Sequence, residues 1–92
     1  MTRIEASEPA ATIAAVRAAP GDVAVVIGPT IAPLDRAQLI AVIGPLAIER
    51  TPARVNALDF VEPVAPEAVV EVLAFLESAD CTTGQVLRLT NN

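Results

Sequence analysis

"GDVAVVIGPTIAPLDRAQLIAVIGPLAIER", residues 21–50, places a short apolar run directly before a long helical one. Val23–Ile27 is uninterrupted by any polar residue and is bounded by Pro20-Gly21-Asp22 and Gly28-Pro29-Thr30. Five apolar residues between turn formers read as a strand buried on both faces. Leu34 to Arg50 reads as a helix, with Asp35 near its start and Arg50 near its end, as the helix dipole favours. A doubly buried strand feeding a helix is the repeating unit of a parallel α/β sheet.

The alternation continues outward on both sides. Ser7 is placed to cap a helix whose first turn takes Glu8 and Pro9 and whose body is Ala10 to Arg17. Arg54 to Leu58 reads as a second strand, Pro66 to about Glu77 as a third helix, and Gln85 to Leu89 as a third strand. The expected order is α-β-α-β-α-β, joined by right-handed crossovers into a parallel sheet. The fold class is α/β: a truncated Rossmann-like three-layer unit of about three strands and three helices, one domain over residues 1–92.

Composition narrows the functions open to such a unit. With 53% hydrophobic residues but only two aromatics, Phe60 and Phe75, the core must be aliphatic. Eleven acids against six arginines, with no lysine or histidine, give a net charge of -5. That balance repels phosphate backbones and anionic membrane surfaces, so neither nucleic acid nor membrane is expected as a partner. The apolar stretches are too short and too broken by proline to span a bilayer, and no signal peptide opens the chain. The single cysteine, Cys81, forms no internal disulfide, which fits a reducing cytoplasm.

From Leu39 to Ile48 no side chain is charged or polar at any angle around the helix axis. Packing one face on a sheet requires only an apolar stripe, so apolarity all round implies burial on more than one side; a second subunit is the expected cover, and a core helix with a defect is the other reading. Gly44-Pro45 is expected to kink or divide this helix.

Three segments resemble the short-chain dehydrogenase/reductase superfamily. "FLESADCTTGQVLRLTNN" is similar to its C-terminal helix, turn and last strand, through Phe75, Leu76, Ser78, Thr83, Gly84, Gln85 and Val86. "PLAIERTPARVNAL" looks like the passage from its fifth large helix into its sixth strand, through Leu46, Ala47, Glu49, Arg54, Val55, Asn56 and Ala57. "EASEPAATIAAVRAAPGDVAVVIGP" is similar to the helix and strand before its nicotinamide-proximal loop. Within the superfamily, "SEPAATIAAV", "GDVAVVIGPTIAP" and a Cys ahead of Thr-Gly-Gln look nearest to the halohydrin dehalogenases.

The resemblance implies a chemistry that this chain does not carry. The reductases of this superfamily bind a dinucleotide on an N-terminal Gly-rich loop, and the four glycines here form no such array. They use a Tyr, a Ser and a Lys, the last replaced by Arg in the dehalogenases; this chain has no Tyr and no Lys, and neither Ser7 nor Ser78 matches the Ser. No catalytic residue, cofactor or metal is therefore assigned. The loop corresponding to the dehalogenase anion cradle is Asp59-Phe60-Val61-Glu62-Pro63, whose two carboxylates disfavour an anion.

Two other readings of this loop stand beside a simple solvated turn. Asp59 and Glu62, at a strand's C-terminal end where open sheets place ligands, suit acid/base work or Mg²⁺. Asp59 also suits a structural ion pair with Arg54 and Arg88. Asn56 is expected to pin the neighbouring crossover loop, and Cys81, with no His to activate it, to sit inertly in its turn. Glu67, Glu71 and Glu77 read as the wet side of their helix. Deletion of former neighbours would leave Val23–Ile27 as an apolar sheet edge needing cover.

The functional expectation is a non-catalytic protein acting by oligomerisation, as a dimer or larger, or as an inactive subunit of a full-length homologue. The alternative is a small-ligand binder or divergent enzyme using an inter-subunit apolar pocket near Asp59–Glu62, lined by Phe60, Leu39 or Ile43. A folded gene remnant without a selected role is the third reading.

Overall fold

The computed structural model describes residues 1–90. Elements follow in the order β1 (Thr2–Glu5), α1 (Pro9–Ala18), β2 (Val23–Ile27), α2 (Pro33–Glu49), β3 (Val55–Asp59), α3 (Pro66–Ser78) and β4 (Val86–Arg88). The strands form one sheet in the order β1-β2-β3-β4, all parallel. The α/β architecture is as expected, with one strand more. β1 pairs with β2 in the register Thr2 opposite Val23 and Glu5 opposite Val26. That extra strand corrects the expectation of an exposed apolar edge at Val23–Ile27. β2 is internal, and its five residues are all buried.

Side chains alternate across the sheet and fill two separate layers. Val23, Val25, Ile27, Val55 and Ala57 point to one face, where they pack with Val16 of α1, with Ala19 at its C-terminal end, and with Leu39, Ile43, Leu46 and Ala47 of α2. Ala24, Val26, Asn56 and Leu58 are buried on the opposite face, outside that cluster, as are Val69 and Leu76 of α3. Arg54, which shares the side of Asn56 and Leu58, reaches the end of α3. Its Nη1 donates to the Leu76 carbonyl at 2.9 Å and also to Ala79, and its Nη2 donates to Glu77 at 3.0 Å. A guanidinium on the last carbonyls satisfies the orphan acceptors and opposes the negative end of the dipole.

The layers are thus α1 and α2, the sheet, and α3. With four parallel strands in sequential order, a helix on the opposite face gives the β3-α3-β4 connection the opposite hand to the first two. The three crossovers therefore cannot all be right-handed, as the sequence pattern suggested.

Several boundaries shift. The N-cap of α1 is Glu8 rather than Ser7: its Oε1 accepts from the Ala11 amide at 2.7 Å. The Ser7 amide instead donates to Thr12 Oγ1 at 3.0 Å, and that hydroxyl donates to the Glu8 carbonyl. β3 starts one residue later than expected and ends at Asp59, while β4 is shorter at both ends. α2 continues through Pro45 as one helix. Pro45 and Ala41, the residue whose carbonyl loses its intrahelical donor, are both exposed, so water can replace the missing bond. Among the described residues no helix is long and apolar enough to cross a membrane.

Candidate functional site

Open α/β sheets bind ligands in the crevice beyond the C-terminal ends of their strands. Here that crevice lies between the turn after β2 and the loop after β3, and Arg36 of α2 fills it. Arg36 Nη1 pairs with Asp59 Oδ1 and donates to the Ile27 carbonyl at 3.2 Å and the Phe60 carbonyl at 3.4 Å. Its Nη2 donates to the Gly28 carbonyl and, at 3.5 Å, to that of Ile31. The other Asp59 oxygen, Oδ2, accepts from Arg88 Nη2 at 2.9 Å and Nε at 3.2 Å.

The two partners of this centre differ sharply in exposure. The Asp59 side chain is 2% exposed and that of Arg36 10%, whereas Arg88 is 59% exposed. One buried carboxylate is therefore held between an interior and a surface guanidinium. A charge this deep is tolerated only when paired and hydrogen-bonded. The centre binds the ends of β2, β3 and β4 to α2; its one carboxylate faces two guanidiniums, so the excess positive charge lies on the exposed Arg88.

The residues singled out by sequence separate widely. Leu39 and Ile43 are 0% and 1% exposed, inside the core beneath α2, so they line no pocket and face no partner. Asp59 is locked as described, which corrects both its reading as an available ligand and that as a solvated loop residue. Glu62 is exposed. Phe60 is half-buried and covers Gly28, where an added Cβ would stand 3.7 Å from the ring. The ion-pair expectation holds for Arg88 with Asp59, but Arg54 turns away to Asp22, with Nε 3.0 Å from Oδ2. The Arg54 backbone amide, which donates to Asp22 Oδ1 at 2.8 Å, and then its guanidinium hold the Asp22 carboxyl below the usual carboxylate range.

Asn56 does pin the crossover loop: its Nδ2 donates to the Thr82 carbonyl and its Oδ1 accepts from the Gln85 amide, both at 3.0 Å. Cys81 is free and exposed, and Glu67, Glu71 and Glu77 are exposed along α3.

Arg36 is the residue that sequence reasoning missed. The signal was a cation in the first turn of a helix, where the dipole disfavours one; such a residue implies a specific anionic partner elsewhere. Among the described residues several surfaces remain open, the exposed Val70 and Phe75 of α3 among them. A small groove of about 230 Å³ lies among Arg3, Glu5, Val26, Gly28, Thr30 and Phe60. On the α1–α2 side a broad furrow is lined by Ala10, Ile13, Ala14, Arg17 and Ala18, and Arg17 bridges to Glu49 of α2 at 2.8 Å. The outer side of α2 exposes Leu34 at 71% and Ile48 at 79%, with Ala37, Gln38, Ala41 and Pro45 between them.

The family model for "short chain dehydrogenase-like protein" matches residues 4–89. No curated protein and no solved structure matches the chain. With nearly its whole length matched, the chain belongs to the short chain dehydrogenase-like family.

Proposed function

We propose that this member of the short chain dehydrogenase-like family is a non-catalytic protein that works by assembly, with copies of itself or as an inactive subunit of a full-length relative. The observation that carries the reading is the outer face of α2. From Ala37 to Ile48 the sequence holds no charged residue, and Leu34 and Ile48 stand largely in water. A helix face that is apolar except for Gln38, on a protein of net charge -5, is the kind of surface that a partner covers.

The absence of catalysis is supported by the inventory and by the crevice. The chain has no Tyr, Lys or His, and its buried arginine is taken up by Asp59 and backbone carbonyls. Kinship with the halohydrin dehalogenase branch is the finer part of this proposal, supported by residues 7–16 and 21–33. A cytoplasmic setting is supported by the one free cysteine.

The alternative, a small-ligand binder, finds its support in the groove beside Phe60 rather than in Leu39 or Ile43. At about 230 Å³ that groove is smaller than the ~300–1,000 Å³ typical of ligand pockets. The furrow along α1, at about 610 Å³, is large enough, but its lining is mostly alanine and its one charged side chain, Arg17, is paired with Glu49, so assembly is the better-supported reading.

Substituting Ile48→Glu tests it. The wild type is expected to be larger than a monomer by light scattering, and the variant smaller than the wild type with unchanged far-ultraviolet dichroism. An unchanged mass would show that α2 is not the interface. Calorimetric binding of a nicotinamide dinucleotide would refute the non-catalytic half of the proposal.

A further inference from the structure

The open edge of the sheet at β1 carries a self-complementary pattern. The Thr2 and Ala6 amides donate to the Asp22 and Val26 carbonyls of the β2 side, each at 2.8 Å. In a strand the direction of these groups alternates, so the amides and carbonyls of Arg3 and Glu5 point away from the sheet. The same two residues carry the charges. Arg3 and Glu5 stand on one face, paired to each other at 2.8 Å, with side chains 45% and 63% exposed.

We propose that β1 is an interface for a second copy of this chain, joined edge to edge and antiparallel about a two-fold axis at Ile4. This rests on the assembly reading above and names a contact distinct from the α2 face. With Ile4 opposite its own copy, Arg3 stands opposite the partner's Glu5, and Glu5 opposite the partner's Arg3. Residues directly opposite in a hydrogen-bonded antiparallel pair exchange both amide–carbonyl bonds. The outward-pointing groups of Arg3 and Glu5 make that exchange twice, giving four bonds. Each guanidinium then has a carboxylate along its own strand and another across the axis, so four charges alternate in sign around a closed square.

The contact is isologous, as a closed two-fold dimer requires. A one-residue slip in register would set Arg3 or Glu5 opposite Ile4, so the charge pattern also fixes the alignment. Above this edge, the exposed residues on the side of α1 turned away from Arg17 are Ala11 and Ala15, which leave room for the second copy's helix. The product is a continuous eight-stranded sheet, with the β1 edges buried in its centre.

Charge reversal tests the pairing. Arg3 and Glu5 are exposed, so Arg3→Glu and Glu5→Arg leave the protomer folded. In the Ile48→Glu background, which removes the α2 contact, the remaining species is expected to be a dimer by sedimentation across ~1 µM to 1 mM. Either reversal is expected to weaken that dimer about tenfold or more, and Arg3→Glu/Glu5→Arg to restore it, because the square is rebuilt with signs exchanged.

Ile48→Glu already monomeric, or a dimer indifferent to single reversal, would overturn the edge pairing while leaving assembly through α2 intact. Loss of the dimer without recovery in the double reversal would also overturn it. A wild-type chain monomeric throughout would overturn the assembly reading itself.

Discussion

Replacing Arg36 with Met keeps most of the side-chain volume and removes the charge from the centre that joins α2 to the sheet. Asp59 would keep only Arg88, whose side chain is 59% exposed, and the carbonyls of Ile27 and Gly28 would lose a donor. Removing one partner of a buried ion pair costs about 3–5 kcal/mol, because the other charge is left desolvated. A chain of this length has about 5–14 kcal/mol of total stability at 0.05–0.15 kcal/mol per residue, so Arg36→Met stands near the folding threshold. The corresponding fall in Tm is about 12–40 °C at 4–8 °C per kcal/mol.

Urea is the suitable denaturant, since it does not screen the ion pair. Far-ultraviolet dichroism is the suitable probe, since the chain has no Trp or Tyr. The double variant Arg36→Met/Asp59→Leu should be more stable than Arg36→Met alone by at least about 1 kcal/mol, because no buried charge remains unpaired. A cost for Arg36→Met below about 1 kcal/mol, or strictly additive single costs, would refute the reasoning.

Other consequences can be measured in the same way. Asn56→Leu should cost about 2–3 kcal/mol, since it strands the Thr82 carbonyl and the Gln85 amide, and should speed hydrogen exchange in residues 82–85. Arg54→Met should cost about 1–3 kcal/mol and fray the end of α3, read by exchange at Leu76–Ala79. Because the folded Asp22 carboxyl lies below its usual value, its contribution to stability is complete above about pH 4 and lost as pH falls through the lowered folded pKa. Asp22→Asn should therefore flatten the acid side of the stability profile and leave the shape near neutrality unchanged.

What the sequence discloses follows from how local each cause is. The strand at Val23–Ile27 is legible because five apolar residues lie between turn formers, and Asn56 is legible because a buried amide in a strand must find partners nearby. β1 escaped because Thr2–Glu5 is short and half of it is charged; only the alternation of Ile4 and Ala6 with Arg3 and Glu5 marks it. Missing that strand also misplaced the sheet's edge. Arg36 escaped because its partner lies 23 residues away, and the pairing depends on α2 crossing the ends of β2 and β3. Leu39 and Ile43 were assigned to a pocket because apolarity around the whole helix does not tell which side faces the sheet. The structure buries them and leaves Leu34 and Ile48 outside.

Sedimentation velocity of the unmodified chain over a wide concentration range tests the central claim most directly. Assembly through the exposed apolar face of α2 predicts a species of at least twice the protomer mass that dissociates on dilution. A single monomeric species at every concentration would contradict it.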